Sequence, residues 1–165
     1  MQIAIVGDTH MPKGSRRLPA RCLELIAASD AVIHTGDFTG LETVDLIAGI
    51  GPPVVAVHGN VDHADVVERL PATVTFEPES GVRLAVIHDA GPSRGRLERM
   101  RARFPDTAAV LFGHSHIPLH ERSPQGRFEI FNPGSPTERR RSPRHSMGIA
   151  DVEAGSIRLR HVDLG

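Results

Sequence analysis

Ile3-Ala4-Ile5-Val6-Gly7-Asp8-Thr9-His10 joins two chemically opposite halves. Its first four residues are apolar, mostly β-branched and bounded by glycine, the pattern of a strand buried on both faces. Directly beyond stand an aspartate and a histidine two residues apart, a spacing that in extended backbone points both side chains the same way. The arrangement recurs along the chain. Ala31-Val32-Ile33 runs into His34-Thr35-Gly36-Asp37, Val54-Val55-Ala56-Val57 into His58-Gly59-Asn60-Val61-Asp62, and Leu84-Ala85-Val86-Ile87 into His88-Asp89. Ala109-Val110-Leu111-Phe112 leads to Gly113-His114-Ser115-His116, and Phe128-Glu129-Ile130-Phe131 to Asn132-Pro133-Gly134-Ser135. No repeat of fixed period accompanies it.

Helical spacing fills several of the gaps. Leu18, Cys22, Leu25 and Ile26 share a face ahead of Asp30, and Leu41, Val44, Ile47 and Ala48 repeat it ahead of Gly49 and Gly51. Leu97, Met100 and Phe104 do the same in the arginine-rich stretch from Ser93 to Pro105. Strands alternating with helices predict an α/β fold with a partly parallel sheet. In the last third, Arg127–Phe131, Met147–Val152 and Ile157–Val162 read as strands separated by turns. The expectation is two mixed β-sheets packed face to face with helices outside.

The chain has 165 residues, which predicts one domain over residues 1–165 at about 150 residues per domain. A fold of that size buries roughly 70% of the surface its unfolded chain exposes, so any metal serves chemistry rather than folding. Nineteen basic against twenty acidic side chains give a net charge of −1, which excludes bulk charge as an attractor of nucleic acid. Absent Trp and Tyr argue the same way, since base stacking has few platforms. The single cysteine, Cys22, excludes an internal disulfide and fits a cytoplasmic location. Ile3–Val6 is far shorter than the roughly 20 residues of a membrane span. Eighteen of the nineteen basic residues are arginine, which reads as a composition bias. Ten histidines against six phenylalanines are more informative, because of where they fall.

In open α/β sheets, ligands bind beyond the carboxyl ends of the strands. Asp8, His10, Asp37, Asn60, His88, His114 and His116 all fall there. They are oxygen and imidazole donors with no thiolate, which suits manganese, iron, zinc or nickel. Seven donors exceed one tetrahedral ion and match two ions sharing a bridging carboxylate. Such a pair is the site used for in-line attack on phosphorus by an activated hydroxide. The substrate expected is a small phosphodiester or phosphomonoester.

The same residues resemble the calcineurin-like metallophosphoesterases. The motifs match in order: Asp-x-His at Asp8 and His10, Gly-Asp at Gly36 and Asp37, Gly-Asn at Gly59 and Asn60, a lone His88, and Gly-His-x-His at Gly113, His114 and His116. The likeness runs from residue 2 to about residue 137. The short length, Gly-Asn-Val-Asp and Asn132-Pro133-Gly134-Ser135 look like the small bacterial and archaeal phosphodiesterase branch. The resemblance implies a four-layer fold, two sheets between helices. It implies that Asp8, His10, Asp37 and His116 hold one metal, manganese first among the expected ions, while Asp37, Asn60, His88 and His114 hold the other. It also implies a homodimer. The retromer scaffold subunit shares this fold and much of the motif order but works through protein surfaces, so a non-catalytic scaffold is the alternative reading. All seven positions here carry competent ligands, which favours catalysis.

Two positions depart from the family. Many members carry a histidine directly after the asparagine to protonate the leaving group, and Val61 stands there. His58 and His63 flank the motif as candidate proton donors, with surface positions the alternative. Asp89 follows His88 where glycine is usual, and reads as a turn cap or as an acceptor orienting a ligand histidine. Elsewhere, His34 reads as buried rather than ligating, Cys22 as core, and His120, His145 and His161 as surface. Gly91-Pro92-Ser93-Arg94-Gly95 reads as a helix cap, and Arg94, Arg96, Arg99, Arg101 and Arg103 as a solvated helix face. Glu138-Arg139-Arg140-Arg141-Ser142-Pro143-Arg144 follows the last rim loop closely. Its guanidinium groups either clamp an anionic substrate or form a mobile charged connection.

Overall fold

Gln2–Val6 forms β1, and its burial on every side but the first residue explains why it is apolar throughout. A computed structural model describes residues 1–78 and 81–165. β1 pairs in parallel with β2 (Ala31–His34), with Ile3 opposite Ala31 and Ile5 opposite Ile33. β2 pairs in parallel with β3 (Val54–Ala56). On its other side β1 meets antiparallel β9 (Ser146–Glu153), which forms a hairpin with β10 (Ser156–Asp163). The first sheet therefore runs β10-β9-β1-β2-β3. The second runs β4-β5-β6-β8-β7, from Thr73–Phe76, Leu84–Ile87, Ala109–Leu111, Glu129–Asn132 and Leu119–Arg122 respectively. Within it β5, β6 and β8 are parallel, and the edge strands β4 and β7 are antiparallel.

Alternate residues face alternate layers. Ile3, Ile5, Ala31, Ile33, Leu84, Val86, Ala109 and Leu111 form the core between the sheets. Their neighbours Ala4, Val6 and Val32 face outward to Cys22 and Ile26 of α1 (Ala20–Ala27), Val44 and Ile47 of α2 (Leu41–Ala48) and Val66 of α3 (Ala64–Arg69). Ala85, Ile87, Val110 and Ile130 face Met100 of α4 (Arg96–Arg103) on the opposite side. Each central strand is thus apolar on both faces, and the layers run helices, sheet, sheet, helix, as expected. Among the described residues no helix is long and apolar enough to cross a membrane.

The strands and helices with strong periodicity lie where the sequence places them. α3, β4 and β7 are additions. α3 is six residues long, too short for a helical period. β4 and β7 are half-exposed edge strands with polar members, Thr73, Thr75, His120, Glu121 and Arg122, so neither carries an apolar run. The arginines of α4 are less idle than a solvated face. Arg99 donates to the carbonyls of Ala90 and Pro92 at 2.8 and 2.7 Å, and Arg96 to Gly91 at 3.0 Å. They close the turn before α4, whose N-cap is Gly95 in left-handed backbone, with no side-chain cap. His120 is also not a free surface side chain: it meets Glu129 at 2.5 Å, and the Glu129 carboxylate also takes Arg122 Nε at 2.9 Å. The His161 ring stacks on buried Phe131, centroids 4.3 Å apart.

Candidate metal centre

Three parallel strands in each sheet end at the same edge of the sandwich, and the loops that follow are zipped together by backbone hydrogen bonds. Asp8 N–H donates to Gly36 O, His10 N–H to Asp37 O and Met11 N–H to Phe38 O, all at 2.9–3.0 Å, so the loops after β1 and β2 prolong their ladder. Gly113 N–H donates to His88 O at 2.9 Å and joins the loops after β5 and β6 in the same way. Asp8, His10, Asp37, His114 and His116 all have positive φ, between 45° and 70°. Left-handed backbone is unfavourable for side chains other than glycine, and such strain gathers at functional sites. It turns the side chains off the strand axis and into the cleft between the sheets.

All seven side chains named from the sequence meet there. Asp8, His10 and His116 present ligand-type atoms within 4.8 Å of one another, and so do Asp8, Asp37 and His88. Asp37 stands between the two groups: its Oδ2 lies 3.5 Å from His10 Nε2 and its Oδ1 3.3 Å from His88 Nε2. Asn60 Oδ1 lies 3.0 Å from His88 Nε2 and 2.9 Å from His114 Nδ1. His10 Nε2 and His116 Nε2 face each other at 3.0 Å.

The donor atoms have more lone pairs than protons. His116 Nδ1–H donates to Glu138 O at 2.6 Å and His88 Nδ1–H to Thr35 O at 2.8 Å. In its neutral form each ring therefore aims an unprotonated Nε2 inward, the tautomer that a backbone carbonyl imposes on a metal-ligating histidine. His88 Nε2 then faces only acceptor oxygens. Asp8 Oδ2 is buried with no hydrogen-bond partner, a condition shared among the described residues only with Arg16 Nη1. A buried, unpaired carboxylate oxygen is costly unless a cation meets it. The cluster fits divalent metal ions.

Electrostatics tell the same story. Burial lifts the Asp8 carboxyl to about 7, against the pull of His88. Burial also disfavours ionised Asp37, but the hydrogen bond and charge of His88 outweigh it and hold Asp37 below the ordinary carboxylate range. Burial disfavours a charged His88 too, yet Asp37 raises it, so a proton on His88 occupies the place of a cation. Burial lowers His10, and pushes His116 down to about 4.

The flanking residues separate cleanly. The His58 ring approaches the Gly59 carbonyl at 3.2 Å, the His63 ring is exposed at the start of α3, and neither hydrogen-bonds to a member of the cluster. Val61 is 41% exposed. Asp89 accepts the Gly91 N–H at 2.7 Å and so closes a turn. His34 is fully buried, stacked on Phe38, its Nδ1 accepting the Gly36 N–H at 3.1 Å; burial holds it neutral, with a pKa of about 3. Three residues matter that the sequence motifs left unassigned. Asp62 accepts backbone N–H groups from Asp37, Thr39 and Gly59. Ser135 donates to Asp8 O at 2.8 Å, and Thr137 to Thr9 O at 2.6 Å. Asp62 lies two residues beyond Asn60, and Ser135 closes the last strand-end motif, so both were visible as positions but not as roles.

A sandwich whose strand ends gather these ligands defines a metal-dependent phosphoesterase. The chain belongs to the calcineurin-like phosphoesterase superfamily, whose domain model matches residues 1–155. It is 32% identical over 140 residues to a probable metallophosphoesterase from Methanocaldococcus jannaschii, covering 83% of this chain and 69% of that one. Wild-type Vps29 from Entamoeba histolytica, in complex with zinc, is similar at a TM-score of 0.77 and 22% identity over 100% of both chains. An archaeal phosphodiesterase is similar at 0.71 and 22% identity, over 98% of this chain and 100% of that one. The two structures speak for the fold; the family speaks for hydrolysis of phosphate esters with divalent metal.

Proposed function

We propose that the chain is a phosphodiesterase that works with two divalent cations, manganese the first candidate. Asp8, His10, Asp37 and His116 hold one and Asp37, Asn60, His88 and His114 the other. The observation that carries this reading is the Asp37 carboxylate, whose two oxygens approach His10 on one side and His88 on the other. Cations bound there supply a water nucleophile at neutral pH and offset the charge of the nonbridging phosphate oxygens. Asn60 turns its carbonyl oxygen to His88 and His114 and is itself exposed, leaving its NH2 donors for a phosphate oxygen. Val61 offers no proton, and neither His58 nor His63 hydrogen-bonds within the cluster. The leaving group then takes its proton from solvent, which favours esters of acidic alcohols. The zinc-bound Vps29 likeness supports a second reading, a non-catalytic scaffold of the retromer-subunit type.

Purified protein with added manganese is expected to hydrolyse bis(p-nitrophenyl) phosphate. Asp37→Ala and His116→Ala reduce turnover to background while circular dichroism stays that of the parent. Turnover surviving either change refutes the assigned site. Metal counting by mass spectrometry separates the two readings, since a chain that never holds two ions and turns over no ester is the scaffold.

A further inference from the structure

We propose that Arg140 is the substrate-anchoring cation of this site, its guanidinium gripping the nonbridging oxygens of the ester phosphate on the Asp8–His10–His116 side of the cluster. The inference rests on the phosphoesterase reading and adds the residue that holds the anion. Among the described residues, seven other than glycine have positive φ. Five are the ligands named above, Thr39 lies two residues after Asp37, and the seventh is Arg140, at 46°.

The segment before it is nailed to the ligand loops. Ser135 and Thr137 hold the Asp8 and Thr9 carbonyls, Glu138 N–H donates to Ser135 Oγ at 2.9 Å, and Glu138 O takes His116 Nδ1. The left-handed turn at Arg140 follows, and Arg140 Nη1 donates to His114 O at 3.1 Å. One of five guanidinium donors is thereby engaged, and the exposed side chain keeps the rest for a ligand.

The other arginines nearby are directed elsewhere, except that Arg16, paired with Glu138 through one nitrogen, keeps its buried Nη1 without a partner. Arg139 donates to Pro143 O at 3.0 Å, Arg144 pairs with Asp163, and Arg16 pairs with Glu138 at 3.0 Å. Arg141 lines a separate cavity beside Ile117 and His145. A cavity of about 550 Å³ between α1 and α2 is lined by Met11, Leu18 and Leu46 with Arg16 and Arg17, and by none of the seven residues of the cluster, so an anion held there would lie outside it. A planar fork fixed at one corner suits two phosphate oxygens at once.

The probe is inorganic phosphate, titrated calorimetrically into manganese-loaded protein, beside metal content and KM and kcat for bis(p-nitrophenyl) phosphate. Arg140→Ala weakens phosphate binding and raises KM by about tenfold or more, with metal content unchanged and kcat affected less than KM. Arg140→Gly, suited to left-handed backbone, gives the same result without loop strain. Arg140→Lys recovers only part of the loss, because a point charge replaces the fork. Arg139→Ala removes the same charge one residue away and leaves phosphate affinity at the parent value.

Unaltered phosphate affinity in the Arg140 variants overturns the proposal. So do equal losses in Arg139→Ala, which mark a general charge effect, and loss of metal from both Arg140→Ala and Arg140→Gly, which marks a scaffold role. A parent protein that binds phosphate through Arg140 but hydrolyses no ester refutes the phosphodiesterase reading alone. A parent that turns over ester while its Arg140 variants match it refutes this proposal alone.

Discussion

Asp62 holds the metal-binding loops in register without touching the metal-ligand atoms. Its Oδ2 accepts from Gly59 N–H at 2.6 Å and Asp37 N–H at 3.2 Å, and its Oδ1 from Thr39 N–H at 2.7 Å. One carboxylate thus ties the loop after β2 to the loop after β3. Asn in its place keeps one acceptor and turns an NH2 toward a backbone N–H, leaving a donor unsatisfied at about 1–3 kcal/mol. Asp62→Asn is expected to lower the unfolding free energy by that amount, read as a lower urea midpoint at unchanged slope, and to weaken manganese binding, measured by titration. A parent-like midpoint with parent-like affinity would show that the loops hold themselves. The role was hidden in the sequence because one aspartate beside a Gly-Asn pair carries no local mark of three distant N–H groups.

At the scale of elements, the loops pack so closely that glycine becomes a ligand-positioning residue. A Cβ on Gly59 would lie 2.0 Å from Asp37 Oδ1 and 2.5 Å from Asp37 N. The β3 loop must therefore come in against the backbone of the β2 loop, and only a residue without a side chain permits it. Gly59→Ala is predicted to keep the far-ultraviolet circular dichroism of the sandwich but to lose manganese stoichiometry and ester hydrolysis, since Asp37 is the group displaced. Full metal content in that variant would place the contact outside the site's needs. Gly-Asn was legible as a motif; that the glycine abuts Asp37 was not, because it depends on two strands 20-odd residues apart lying side by side.

For the whole molecule, the metal-free fold carries an electrostatic burden at its centre. Asp8 titrates near 7 in the fold and near 3.8 when unfolded. Between those values the unfolded chain sheds the proton more readily, so on this account the metal-free fold loses stability as pH rises through the window. A cation relieves the buried charge, and binding near pH 6 must also displace protons from Asp8 and from His88, whose pKa is raised. Manganese is expected to raise the melting temperature by on the order of 10 °C at 100 to 1,000 times its Kd. At fixed metal the gap between manganese-loaded and EDTA-treated protein should widen from pH 6 to pH 8. A gap that narrows over that range contradicts the Asp8 assignment.

Burial on both faces leaves its signature in a few adjacent residues, so the central strands and the helices with clear apolar faces could be read one segment at a time. That the polar side chains immediately beyond those strands gather in one place was equally legible, because a strand end and its next few residues share one edge of any open sheet. Edge elements such as β7 and the short α3 have no such signature. Nor does any segment state which way its loop turns, and the left-handed backbone at Asp8, Asp37 and Arg140 is imposed by the neighbouring loops. The linear chain specified which atoms are available; the stacking of one sheet on the other chose their partners, because contacts between residues a hundred positions apart, such as His10 with His116, exist only once both layers are in place.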